Sequence, residues 1–317
     1  MKPSIIEFAV AQQAAEWFAL LNADRVDETA RSDWQQWLGA RPEHAQAWAR
    51  VEAIGQQFDS LSALPARQAL NGAGRGRRRA IRMLAMASIG VSLGWAGSRS
   101  RPWQSWSADH GTAVGETREL LLADRTQVWL NTDTAVDVDY SPTLRRLVLR
   151  RGEVLVRTAA DTVQPSRPWV VDTPQGRLRA LGTHFSVRRL EDSTVVAVFE
   201  GAVEIRPASG AAPMVLPAGR QARFWDDRIE AAQPAELFRQ AWSRGVLVAD
   251  DMRLGDFIAE LSRHRPGHLG CDPAVADLRL VGAYPLADTD RVLAALEDTL
   301  PVSVQRTLPW WTVVRPR

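Results

Sequence analysis

The chain has 317 residues, 45% of them apolar, with 39 Lys and Arg against 37 Asp and Glu. That length admits two or three domains with sizeable cores, and a single cysteine, Cys271, excludes an intrachain disulfide framework. The charge balance does not point to nucleic acid, because the basic surplus is local: residues 1–70 carry six basic and nine acidic side chains, whereas 71–82 carry five arginines and no acid.

Residues 5–22 place Phe8, Ala11, Ala15, Phe18 and Leu21 at helical spacing, which predicts an amphipathic helix. Asp27 can cap a second helix, ETARSDWQQWLGA, that stops near Gly39. Pro42 sits in the first turn of a third, a position where its missing N–H costs nothing. The prediction for 1–65 is a short helical bundle. Trp17, Trp34, Trp37 and Trp48 are spread over its helices. Four indoles exceed what a core of about 60 residues can hide, so some are predicted to face a partner. The acidic balance argues against DNA and suits a basic protein.

Residues 66–82 read as a basic linker. From Met83 to Gly97 there is no charge. The expectation is one transmembrane helix over 83–100, although such a stretch spans only about 22 Å of a hydrocarbon core about 30 Å thick. Arg75, Arg77, Arg78, Arg79 and Arg82 precede it, against Arg99 and Arg101 after it, which orients the N-terminus inward. Arg82 can snorkel, and Trp95, Trp103 and Trp106 stand at the far end, where indoles favour an interface.

Residues 107–230 read as strands throughout: RELLL, TQVWL, AVDVD, RRLVLR, EVLVR, WVVDT, RLRAL, HFSVRRL, TVVAVF, AVEIR and ARFW, separated by turn residues. Two stretches, 145–159 and 194–208, echo one another as an alternating run, a Gly-containing turn and a second alternating run, which predicts a repeated hairpin in an all-β sandwich or solenoid-like domain. Little of this segment carries helical patterning, which speaks against an α/β enzyme core. From 235 the period changes. GVLVAD reads as a strand, RLGDFIAELSRH as a helix with Leu254, Phe257, Ile258 and Leu261 on one face, DLRLVGAY as strand, TDRVLAALEDTL as a helix, and VSVQRT with WWTVVR as closing strands. The predicted architecture is therefore multidomain, α then β then α+β.

The stretch AAEWFALLNADRVDETARSDWQQWLGARPEHAQAW, with Ala14, Ala15, Trp17, Trp34, Trp37, Leu38, Pro42, His44, Ala47 and Trp48, resembles the N-terminal domain of the FecR-like family of transmembrane anti-sigma regulators. LGTHFSVR (181–188) and VFEGAVEI (198–205) resemble the sensor domain of that family. RGVLVADDMRLGDFIAELSRHRPG resembles the small secretin/TonB-type module that ends many members, and Val246, Val248, Leu254, Phe257 and Leu261 are its candidate receptor contacts. The resemblance implies an inner-membrane, single-pass regulator with a cytoplasmic N-terminus and a periplasmic C-terminus. Its implied partners are an extracytoplasmic-function sigma factor, bound through Trp17, Trp34, Trp37 and Trp48, and the signalling domain of a TonB-dependent receptor of the siderophore-uptake kind, with release by proteases. Some members resemble proteins that cleave themselves at a Gly-Thr bond, which here falls at Gly182-Thr183. A threonine hydroxyl can attack the preceding carbonyl to give an ester that water opens, and His184 is adjacent.

Other chemistry is weakly represented. His264, His268 and Cys271 have metal-like spacing, but Pro266 and Gly267 interrupt the helix, so they read as solvated loop residues. Asp133, Asp137 and Asp139 read as solvated carboxylates. NGAGRGR lacks the Gly-Lys-Ser/Thr ending of a phosphate loop. The expectation is no cofactor, no metal, no direct contact with nucleic acid and no turnover enzyme. The alternative reading is a membrane-anchored periplasmic scaffold with an oligomerising cytoplasmic bundle.

Overall fold

The computed structural model describes residues 8–21, 28–62 and 108–317. Three helices come first, α1 (Phe8–Leu21), α2 (Glu28–Ala40) and α3 (Pro42–Ser62). As expected, α3 begins on Pro42. The transmembrane helix expected over 83–100 lies outside the described residues, as do the Asp27 cap, the arginine run and Trp95, Trp103 and Trp106. Among the described residues no helix is long and apolar enough to cross a membrane, and this corrects the expected fold. With 14 and 13 residues, α1 and α2 are too short, and α3 carries charge at Glu43, Arg50, Glu52 and Asp59. The described architecture is a helical N-terminal part followed by sheets.

The first strands run β1 (His110–Gly111), β2 (Arg118–Leu121), β3 (Gln127–Leu130), β4 (Ala135–Tyr140), β5 (Arg145–Arg151), β6 (Glu153–Arg157), β7 (Trp169–Thr173) and β8 (Gly176–Ala180). They continue as β9 (His184–Arg189), β10 (Thr194–Glu200), β11 (Ala202–Pro207), β12 (Met214–Pro217), β13 (Arg220–Phe224) and β14 (Gln233–Pro234), followed by a 3-10 helix, Leu237–Arg244. They form two seven-stranded sheets, β1-β4-β5-β7-β8-β11-β12 and β14-β13-β10-β9-β6-β3-β2. All pairings in them are antiparallel except β5 with β7. The alternation read in the sequence is the alternation of burial: Leu147 and Leu149 of β5, Val154 and Val156 of β6, Phe185 and Val187 of β9, and Val203 and Ile205 of β11 meet in one core between the sheets.

The two echoing stretches are not hairpins. The strands β5 and β6 flank Gly152 but belong to different sheets, and so do β10 and β11 around Gly201. The chain turns over the edge of the sandwich at each glycine, so that both flanks point their apolar residues inward. A third crossing joins β8 to β9 at Gly182. All three glycines have positive φ, 86°, 77° and 75° at Gly152, Gly182 and Gly201. Neighbouring crossings stack closely. A Cβ on Gly201 would lie 2.1 Å from the Gly182 carbonyl oxygen, and one on Gly152 would lie 2.2 Å from the Thr134 hydroxyl.

The C-terminal residues continue with β15 (Val246–Arg253), α4 (Leu254–Ser262), β16 (His268–Cys271), β17 (Arg279–Pro285), α5 (Thr289–Thr299), β18 (Val302–Leu308) and β19 (Trp311–Pro316). Strand β15 pairs with β17, and β16-β19-β18 form a three-stranded sheet. Compactness divides the molecule in two, one unit formed by the helices with Ala249–Arg317 and the other, among the described residues, by 108–248. In the first unit α1 and α3 share a core with the turn into β19: Val10, Ala14, Ala15, Ala47 and Val51 pack with Trp310, Trp311 and Val313. Gln12 Oε1 accepts a hydrogen bond from Trp311 Nε1 at 3.2 Å.

Candidate functional site

The bundle carries the four predicted indoles in one aromatic system. Trp17 and Trp37 lie 6.5 Å apart, Trp34 and Trp48 4.9 Å, and Phe18 sits 5.8 Å from Trp48 and 5.1 Å from Trp310. Trp37 stacks on His44 at 4.4 Å, and its backbone carbonyl lies 2.6 Å from the His44 Nδ1. The residues that are fully buried here are small, mainly alanines, so the rings supply much of the cohesion. All four tryptophans are nevertheless only half-buried, and α2 buries no residue at all. The bundle thus presents partly exposed aromatic surface on α2, whose Trp37 packs against the core with only part of its ring.

The Gly182-Thr183 bond sits at the β8–β9 crossing. Leu181 N–H donates to the Ala202 carbonyl at 3.0 Å. Thr183 N–H donates to the Thr158 hydroxyl at 2.9 Å, and Thr158 N–H donates back to the Thr183 carbonyl at 3.0 Å. The backbone is held on both sides of the bond, while Gly201 closes on the Gly182 carbonyl. Thr183 is 4% exposed, and its hydroxyl has no hydrogen-bond partner. The imidazole of His184 does not accompany it. Consecutive residues of an extended chain point to opposite faces, and Phe185 points into the core. The His184 ring therefore lies on the outer face of its sheet, 5.4 Å from the Phe199 ring and 6.5 Å from Trp129. Burial, with the neighbouring Arg157, pushes its pKa below the usual imidazole value.

The receptor-contact candidates divide. Val246 and Val248 are half-buried on β15. Leu254, Phe257 and Leu261 are fully buried, with Phe257 edge-on to Tyr284 at 4.7 Å, so they hold their unit together and offer no surface. The exposed apolar side chain of this region is Val281 on β17, 76% exposed, which helical periodicity could not have singled out because it lies on a strand.

His264, His268 and Cys271 are not solvated loop residues. His264 is buried, and His268–Cys271 is strand β16, in parallel register with β19. The His268 ring stacks on Trp311 at 3.8 Å, and burial with Arg50 nearby holds its pKa at about 4. Burial raises the Cys271 thiol to about 11. Among the described residues no three His, Cys, Asp or Glu side chains cluster as metal ligands. Asp137 and Asp139 pair with Arg150 and Arg146, and Asp133 with Arg151 at 2.7 Å.

A two-sheet body with arched crossings, joined to a small helical bundle rich in tryptophan, defines the class of chain. It carries a FecR domain: residues 108–204 match the family described as FecR protein, and residues 12–54 match a domain of unknown function, DUF4880. Two crystal structures of a candidate anti-sigma factor from Parabacteroides distasonis ATCC 8503 share the fold. Each is 21% identical to this chain and covers 66% of it and 98% of its own length, with TM-scores of 0.53 and 0.51. No curated protein matches the chain.

Proposed function

We propose that this chain is an anti-sigma regulator whose helices α1–α3 bind a sigma factor of the extracytoplasmic-function type. The observation that carries the reading is the set of half-buried tryptophans on an acidic bundle whose α2 buries nothing, in a chain with a FecR domain. Aromatic anchors of this kind dominate protein interfaces, and the acidic balance complements a basic partner. The solved neighbours described as anti-sigma factors support the same reading. Within it, the C-terminal module receives the signalling domain of a TonB-dependent receptor by strand addition at β17, and proteolysis separates the sigma-bound helices from the rest.

The test is co-purification of the full chain with the sigma factor encoded beside it. Trp34→Ala with Trp37→Ala is expected to weaken the complex by about 1,000-fold, the combined effect of two anchors worth about 2 kcal/mol each. Trp34 also packs on Trp48 and Trp37 on the helix core, so helical circular dichroism is followed in parallel, and the prediction concerns binding lost while the helical signal is kept. Undiminished binding by the double variant, or none by the parent chain, would sink the proposal.

A second reading rests on Thr183. Its unpartnered, buried hydroxyl beside a glycine carbonyl suits one intramolecular event: Oγ adds to the Gly182 carbonyl carbon, the C–N bond breaks as nitrogen takes the hydroxyl proton, and water hydrolyses the resulting ester. The purified chain should give two bands on a denaturing gel, ending at Gly182 and beginning at Thr183. Thr183→Ala should stay whole and Thr183→Ser should still cleave. A single band from the parent chain removes the event.

A further inference from the structure

The outer face of the second sheet carries a cavity that neither the sigma-binding reading nor the Gly-Thr bond uses. On β3 and β6, Trp129 and Leu155 face one another, and Arg157 stands directly across from His184 on β9. The 3-10 helix Leu237–Arg244 is the other wall and contributes Gln240, Ser243 and Arg244. Ala241 and Trp242 of that helix are buried, and Leu155, though it points away from the sandwich core, is only 2% exposed. Between them remains a cavity of about 260 Å³.

Its chemistry is one-sided. The lining residues include two guanidinium groups, Arg157 and Arg244, and no carboxylate. Glu200, paired with His184 across β9 and β10, is not among them. His184 is 6% exposed, and its Nε2 is buried without a hydrogen-bond partner, an arrangement that is costly unless something completes it. Ser243 spends its hydroxyl hydrogen on the Gln240 carbonyl at 2.8 Å, which leaves the oxygen facing the cavity as an acceptor and the Gln240 amide as a further donor. Trp129 and Leu155 supply a flat apolar floor.

We propose that this cavity binds a small organic anion, a carboxylate carried on a flat apolar body, with Arg157 and Arg244 on the charge, His184 Nε2–H donating to a carboxylate oxygen, and the body against Trp129. The volume lies just below that of pockets that hold drug-sized ligands, so the occupant is of the order of one substituted ring. A guanidinium pairs with a carboxylate through two parallel N–H donors, a match that a neutral amide cannot make. Since His184 is neutral, it contributes a directed donor and no charge.

The proposal stands apart from sigma binding and is tested on the full chain with benzoate as probe, benzamide as its neutral isostere and inorganic phosphate as a charge without a ring. Thermal melting and titration calorimetry are expected to show saturable benzoate binding within about 10 mM, at least tenfold tighter than benzamide or phosphate. Arg157→Gln with Arg244→Gln, both at exposed positions where folding is not at stake, should lower benzoate affinity by tenfold or more, and His184→Phe should lower it while keeping the ring packing. Equal binding of benzoate and benzamide, equal binding by the double arginine variant, or no saturable benzoate binding would overturn the assignment.

Discussion

Gly201→Ala is expected to destabilise the β body by about 2–5 kcal/mol, the sum of a left-handed backbone penalty of about 1–2 kcal/mol and an overpacking cost of about 1–3 kcal/mol. The residue has φ 75°, and a methyl group there would arrive 2.1 Å from the Gly182 carbonyl oxygen and 3.0 Å from the Thr183 methyl. Backbone is the obstacle, so no side-chain rotation relieves it. Gly210 supplies the control. Its φ is 85°, and an added Cβ meets nothing within 4 Å. Gly210→Ala should therefore lose only the backbone penalty of about 1–2 kcal/mol. Denaturant unfolding followed by circular dichroism measures both. Equal losses would mean that the close stacking of the two crossings is not a determinant of stability. A Gly201→Ala loss below that of Gly210→Ala would mean that the crossings do not approach as described.

That stacking also shows where sequence reading succeeds and where it stops. The strands of the body were legible because each buries alternate residues, and period-2 alternation is a local property: RRLVLR and AVEIR announce their inward faces without reference to any other strand. Pairing is not local. A hairpin and an arch have the same pattern, alternating run, glycine, alternating run, and differ only in whether the two runs hydrogen-bond to each other or to strands from elsewhere. The echo between 145–159 and 194–208 was therefore visible while its meaning was inverted. The same limit governed the sites. Trp17, Trp34, Trp37 and Trp48 could be singled out by type and density, and Gly182-Thr183 by motif. The cavity at His184 could not, because Trp129, Arg157, His184 and Arg244 are brought together by register and by the returning 3-10 helix, over distances of more than a hundred residues. Leu254, Phe257 and Leu261 failed as surface candidates for the opposite reason, since an apolar helical face marks the core before it marks a partner.

The second large effect is expected at Asp124. Its side chain is 3% exposed and accepts four hydrogen bonds, from Thr126 N–H at 3.0 Å, the Thr126 hydroxyl at 2.8 Å, the Tyr140 hydroxyl at 3.0 Å and Arg145 Nη1 at 2.9 Å. Arg145, itself 6% exposed on the side chain, also donates to the carbonyls of Ala159 and Arg167, and Trp169 Nε1 donates to the Tyr140 oxygen at 3.1 Å. Burial pushes the Tyr140 phenol well above its usual range, so it stays protonated and remains a donor. One carboxylate thus ties the β2–β3 turn to β4, β5 and the long connection before β7. Asp124→Ala leaves a buried guanidinium without its nearest countercharge and is expected to cost about 3–5 kcal/mol. Adding Arg145→Met should recover part of that loss, because the stranded charge goes with it. Asp139, 54% exposed and paired with Arg146, is the contrast, and Asp139→Ala should change stability by less than about 1 kcal/mol. Acid acts on the same region. The bidentate hydrogen bond from Arg167, helped by the backbone N–H groups of Arg167 and Val163, holds the Asp161 carboxyl far below the usual carboxylate range. A depressed carboxyl contributes stability that is complete above its unfolded pKa of about 3.9 and is lost as pH falls below it. Denaturant midpoints of the body should therefore hold from neutral pH down to about 5 and drop below about 4, and Asp161→Asn should flatten that drop while lowering the neutral-pH plateau. A variant that lowers the plateau but keeps the full acid slope would assign the titration to other carboxylates.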